Sequence, residues 1–181
     1  MNLPNKLTVL RVIMVPFFVF FMLTGVGGAA NKWIALIIFC VASLTDMLDG
    51  KIARARNLVT NFGKFMDPLA DKLLVSSAMI CLVSLNRIPA WVVIVIISRE
   101  FIISGFRLVA SDAGVVIAAS WWGKIKTVVQ MIMVIVLILS IHNPVVAVIE
   151  QILIYLALVL TVVSLLDYLI KNWKVMDDGK M

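Results

Sequence analysis

The sequence predicts an all-α, polytopic membrane protein, a bundle of six transmembrane helices. Three observations lead there. Apolar residues make up 63% of the chain and charged residues only 14%, whereas a soluble domain is about half apolar and a quarter charged. Six apolar stretches each reach the roughly 20 residues needed to cross the hydrocarbon layer. Runs such as Met131 to Ser140 are apolar without interruption, which excludes the two-residue alternation of a membrane β-barrel, the other structure lipid permits.

The stretches cover residues 7–26, 32–54, 61–85, 89–111, 120–141 and 144–171. Lys6 and Arg11 ahead of the first run imitate a secretory signal, but no small-residue cleavage site follows, so this run is expected to remain as a first helix. No linker rich in Pro, Gly or Ser divides the chain, which points to one domain over 1–181. Cys40 and Cys81 lie inside apolar runs, where a thiol acts as a small hydrophobe. The tail Asp177-Asp178-Gly179-Lys180 is short and polar.

Basic residues set the expected orientation, because Lys and Arg near span ends stay on the cytoplasmic side. With the N-terminus inside, only Lys32 and Arg87 of the sixteen basic residues fall outside. Both termini and the connections after spans 2 and 4 are then cytoplasmic, in a plasma-membrane protein. The net charge of +6 becomes a one-sided field that holds topology, attracts anionic lipid and favours an anionic substrate. Nucleic acid is excluded as a partner, since no basic soluble surface with interleaved aromatics exists to receive it.

Four of the ten acidic residues, Asp46, Asp49, Asp67 and Asp71, cluster at the inner end of span 2 and the inner start of span 3. Spacings of three and four place each pair on one helical face. Carboxylates converging at a membrane edge repel one another and lose hydration, unless cations compensate. Mg²⁺ or Mn²⁺ suits such an oxygen donor set, and two such ions would polarise a phosphoryl group and steady a leaving oxygen. The only histidine, His142, lies in an expected outer loop. The competing reading, in which the aspartates merely pair with Lys51, Arg54, Lys64 and Lys72, accounts for any one of them better than for the set. Gly50, Ala53 and Gly63 keep the same faces small, which serves a ligand or close helix packing equally well.

Taken together, Asp46-x2-Asp49-Gly50-x2-Ala53-Arg54-x8-Gly63-x3-Asp67-x3-Asp71 resembles the signature of the CDP-alcohol phosphotransferase family, with every signature position filled. The resemblance implies six transmembrane helices, a short N-terminal segment along the cytoplasmic surface, and a homodimer. It implies that Asp46, Asp49 and Asp67 hold metal, and that Asp71 both approaches the metal site and serves as general base on the acceptor hydroxyl. Gly50, Ala53, Arg54 and Gly63 match positions that contact the cytidine diphosphate of a CDP-lipid. Asn5-x2-Thr8-x2-Arg11 is similar to a family element that reaches the nucleotide phosphates. Asn5 or Thr8 as a helix cap explains the same residues as well.

Arg99, Glu100, Arg107, Lys124 and Lys126 interrupt spans 4 and 5, where ionisable groups are presumed functional by default. A pocket of Arg99, Arg107, Lys124 and Lys126 suits an acceptor that bears its own phosphate. The alternative pairs an arginine with Glu100 and leaves the lysines as topological anchors. The stretches Ser98-Arg99-Glu100 and Gly123-Lys124-x-Lys126-Thr127 resemble a bacterial branch of the family that joins CDP-diacylglycerol to sn-glycerol 3-phosphate, giving phosphatidylglycerophosphate and CMP. Inositol phosphate, inositol, serine or phosphatidylglycerol are the alternative acceptors. A cation transporter is a further alternative, but its ion site would sit near the midplane between repeats, and the aspartate pattern has no second copy.

Overall fold

In the computed structural model the backbone is described for residues 3–55, 61–112 and 120–177, and side chains for 5–28, 30–46, 66–67, 69–110 and 120–172. The apolar runs become six helices: α1 (Leu3–Leu23), α2 (Asn31–Ala55), α3 (Asn61–Ser84), α4 (Ala90–Asp112), α5 (Trp121–Leu139) and α6 (Pro144–Asp177). A single 3-10 turn, Gly28–Ala30, leads into α2, and no strand occurs among the described residues. Pro4 stands in the first turn of α1, where a missing N–H costs no hydrogen bond. The polar turn Asn5 to Arg11 is continuous with α1, so the described chain contains no separate surface segment ahead of the first helix.

Burial departs from that of a soluble protein on both sides of the surface. Thr8, Arg11 and Lys126 are sealed inside, while Phe17, Trp33, Ile80, Ile94, Ile152 and Ile170 face outward. Water would penalise that arrangement, whereas a hydrocarbon solvent selects it: polar groups go inward to find partners, and apolar side chains stay outside at no cost. Three helices among the described residues, over Asn5–Leu23, Trp121–Leu139 and Pro144–Asn172, are long and apolar enough to cross a membrane. The helix α4 has the length, with 23 residues, but Arg99, Glu100 and Arg107 break its apolar run.

The chain packs as two compact units, Met1–Arg87 with Leu137–Ser140, and Ile88–Val136 with Ile141–Met181. In the first, α1 packs against both α2 and α3. Ala35, Phe39 and Ala42 form the buried stripe of α2, and Ala70, Leu74 and Ala78 that of α3. Small residues at these positions let helices approach closely, which matters where van der Waals contact replaces the hydrophobic drive. Phe18 of α1 fills the space beside Phe39, ring centroids 6.0 Å apart. Asn31 closes the α1–α2 turn: its side-chain oxygen accepts the Gly27 N–H at 2.8 Å and its amide donates to the Thr24 carbonyl. At the end of α3, Asn86 adopts a left-handed φ of 58°. The N–H of Arg87 then reaches back to the Leu82 carbonyl at 2.8 Å, satisfying a terminal acceptor.

In the second unit α4 packs on α6. Val92, Ile96, Arg99, Ile103 and Ala110 are all buried, so an arginine occupies what is otherwise the apolar seam of α4. Phe106 meets Tyr168 of α6 edge-on, at 5.7 Å between centroids. Ser120 caps α5, its Oγ accepting the Gly123 N–H at 3.1 Å, in the manner of an N-cap hydroxyl. At 34 residues α6 is about 51 Å long, well beyond the roughly 30 Å hydrocarbon layer.

Two positions on α2 test this packing. Phe39 is wholly buried and Ile37 is 60% exposed. Phe39→Ala is expected to lower unfolding stability by about 3 kcal/mol, and Ile37→Ala by less than about 0.5 kcal/mol, measured by thermal unfolding in detergent.

Candidate active site

The polar face of α1 organises the first unit. Asn5, Thr8 and Arg11 recur every three residues, and all three are buried. The Thr8 hydroxyl donates to Asp67 Oδ1 at 2.5 Å, crossing to α3. Arg11 crosses to α2, with Nη1 2.6 Å from Asp46 Oδ1 and Nε donating to the Ala42 carbonyl at 3.2 Å. One helix therefore grips an acid on each of its two neighbours. Asp71 follows Asp67 by one turn on α3 and is half-buried, as are Asp46 and Asp67.

Asp49, Gly50, Ala53 and Arg54 lie on the last turns of α2, and Gly63 on the first turn of α3. Their side chains fall outside the described residues. Among the described residues no three of His, Cys, Asp or Glu form a group able to hold a metal ion. Asp46, Asp67 and Asp71 are hard oxygen donors, the type Mg²⁺ and Mn²⁺ prefer, and their partial exposure leaves carboxylate surface for an ion. The donor chemistry fits such a metal.

The basic residues of the second unit divide. Glu100 Oε1 accepts from Arg99 Nη1 at 3.2 Å and also from the Lys126 ammonium. Arg99 and Lys126 are buried, while Arg107 and Lys124 are exposed. Lys124 stands over the Trp121 ring, 5.4 Å from its centroid. Helical geometry explains the division: two residues turn the side chain by about 200°, so Lys124 and Lys126 take opposite faces, and eight residues leave Arg107 about 80° away from Arg99. Arg99 and Lys126 are brought together and the four-cation set is not. The Arg99 Nε has no acceptor among the described residues, although the guanidinium is buried, a situation that calls for a partner.

Two features escaped the sequence reading. Ser120 caps α5 and sits beside the Asp167 carboxylate of α6, itself paired with Lys171 at 2.7 Å. A serine just before the Trp121-Trp122 start of an apolar run was the available signal for the cap. The Thr8–Asp67 bond, which spans 59 residues, had no local signal.

A sequence profile of the CDP-alcohol phosphatidyltransferase family matches residues 1–163. The chain is 47% identical to the CDP-diacylglycerol–glycerol-3-phosphate 3-phosphatidyltransferase of Bacillus subtilis (strain 168), over 96% of each chain. It is 39% identical to the protein of the same name from Haemophilus influenzae, over 93% of this chain and 91% of that one. A probable phosphatidylglycerophosphate synthase of Mycobacterium tuberculosis (strain ATCC 25618 / H37Rv) is 40% identical over 92% of this chain and 79% of its own length.

The triad of Arg99, Lys126 and the half-buried Glu100 makes its own prediction. Lys126→Met leaves the Glu100 carboxylate short of a cation and is expected to cost about 3 kcal/mol. Adding Glu100→Gln to that variant should recover part of the loss. A double-mutant cycle from thermal unfolding reads the coupling, and strictly additive losses would refute it.

Proposed function

Because the chain belongs to the CDP-alcohol phosphatidyltransferase family, we propose that it transfers the phosphatidyl group of CDP-diacylglycerol to sn-glycerol 3-phosphate, releasing CMP. The observation that carries this reading is the capture of Asp46 and Asp67, from two different helices, by the buried Arg11 and Thr8 of α1. Those acids belong to the signature that runs from Asp46 to Asp71. The acceptor follows from the relatives, which are named for glycerol 3-phosphate chemistry.

In this reading all six helices cross the plasma membrane as one catalytic domain, with both termini and the aspartates on the cytoplasmic side. The acyl chains of the donor stay in lipid. Asp46, Asp49, Asp67 and Asp71 would hold one or two Mg²⁺ or Mn²⁺ ions, which when bound neutralise diphosphate charge and polarise the phosphoryl group. Gly50, Ala53 and Gly63 leave room for the cytidine diphosphate, and Arg54 offers a planar donor fork to its phosphates. Asn5, Thr8 and Arg11 support the same end of the site.

Arg99 and Lys126 hold the acceptor phosphate, with Arg107 and Lys124 adding positive field from exposed positions. The orphaned Nε of Arg99 supports an anionic ligand there. Asp71 takes the proton of the acceptor's primary hydroxyl as its oxygen attacks the lipid-linked phosphorus. The bond from that phosphorus to the bridging oxygen of the diphosphate breaks, and CMP departs with the electron pair. Rate enhancement rests on positioning and charge stabilisation. A homodimer in the bilayer completes the proposal.

Purified protein in detergent, given CDP-diacylglycerol, sn-glycerol 3-phosphate and Mg²⁺, is expected to release CMP, and Asp71→Asn to lower turnover by about 100-fold or more. Undiminished release from that variant would remove Asp71 as the base. Release only with inositol phosphate, inositol, serine or phosphatidylglycerol would overturn the acceptor. Arg99→Gln is expected to raise the KM for glycerol 3-phosphate about tenfold, the loss of one charge-assisted hydrogen bond, while the KM for the CDP-lipid stays within about twofold.

A further inference from the structure

The polar face of α1 turns inward, toward the acids of the two helices it packs against. Thr8 and Arg11 are each 0% exposed, and their polar groups face the neighbouring helices α2 and α3. Both reach carboxylates of the aspartate signature. The Thr8 hydroxyl meets Asp67 Oδ1 at 2.5 Å, and Arg11 Nη1 meets Asp46 Oδ1 at 2.6 Å. The Arg11 Nε is tied to the carbonyl of Ala42, one turn before Asp46 on the same helix. A planar guanidinium held at two points on one helical turn cannot rotate without losing one of them.

We propose that Thr8 and Arg11 are positioning residues for the metal-binding carboxylates, setting the rotamers of Asp67 and Asp46 from buried positions on α1. The inference rests on the metal role assigned above to those aspartates. A donor on one oxygen of a carboxylate fixes the direction in which the other oxygen points. Such outer partners of ligating groups typically contribute 10- to 100-fold in metal affinity. Arg11 also offsets one negative charge of the acid cluster, which lowers its self-repulsion at the membrane edge. Thr8 adds a donor without adding charge, so Asp67 keeps its full negative charge for a cation.

The test uses Mn²⁺ binding to the purified full chain in detergent, followed by the loss of the free-ion electron paramagnetic resonance signal, with no substrate present. Thr8→Val, which keeps shape and removes the hydroxyl, is expected to weaken Mn²⁺ binding about tenfold or more, and Thr8→Ser to restore it to within about twofold of wild type. Arg11→Lys, which keeps charge and loses the fork, is expected to weaken it about tenfold. Turnover of Thr8→Val at limiting Mn²⁺ should recover as Mn²⁺ is raised.

Thermal unfolding supplies the control for a merely structural role. A positioning residue changes the rise in Tm that Mn²⁺ produces, whereas a packing defect lowers Tm equally with and without the ion. Thr8→Val that binds Mn²⁺ as tightly as wild type, with a KM for CDP-diacylglycerol raised even at saturating metal, would overturn the inference in favour of direct nucleotide contact. Wild-type protein that binds no Mn²⁺ would instead remove the metal role of the aspartates, and the inference with it.

Discussion

Arg11 is completely buried, and in a helix surrounded by hydrocarbon a buried guanidinium persists only where its charge is met and its donors are used. Asp46 meets the charge, and the Ala42 carbonyl accepts from Nε. An ion pair in a low-dielectric interior offsets its desolvation only when geometry is good and neighbouring groups are satisfied, and here the close Arg11–Asp46 approach is joined by the Nε bond to the Ala42 carbonyl. The consequence for the fold is positional. With Arg11 committed to α2 and Thr8 to α3, the rotation of α1 about its axis is set. The alanine-rich seams and the Phe18–Phe39 contact then close around a register that the polar groups impose.

The second unit follows the same electrostatic rule with different residues. Glu100 receives both Arg99 and Lys126, so one carboxylate ties α4 to α5, while α4 and α6 are joined by apolar packing and the Phe106–Tyr168 edge contact. Arg11 and Lys126 are thus each paired with an acid on a neighbouring helix. The partners differ in access. Arg11 and Lys126 have side chains 0% and 1% exposed, while those of Asp46 and Glu100 are 35% and 18% exposed. Cations lie deepest and the acids look outward, so each carboxylate keeps some exposed surface while its cation acts as a fixed support.

That order also organises the chemistry. Phosphoryl transfer asks little covalent work of a protein and much placement of charge. A carboxylate held by a buried neighbour arrives pre-oriented, so little reorganisation is left for the moment of reaction. The basic residues sort in the same way: Arg99 and Lys126 are fixed by Glu100, whereas Arg107 and the ring-stacked Lys124 contribute field from exposed positions. Lipid as solvent makes this economy of charge unavoidable, since an unsatisfied group cannot turn to water.

Much was legible in the sequence, and for a definite reason. Hydrocarbon leaves a spanning chain almost no alternative to the helix, so the apolar runs at 7–26 and 144–171 fall on α1 (Leu3–Leu23) and α6 (Pro144–Asp177), although α6 continues past the end of its run to Asp177. The membership of a family was equally local, carried by eight positions between Asp46 and Asp71 and matched by a profile over residues 1–163. Tertiary structure alone decided which helix each polar face meets. The i, i+3 spacing of Thr8 and Arg11 fixes their angle about α1, but the choice of Asp67, 59 residues away, depends on how three helices pack. Lys124 and Lys126, two residues apart in the chain, parted because a helix turns about 100° per residue and Glu100 stood on only one side. Periodicity along a chain records the angle around one axis. Only packing supplies the neighbour.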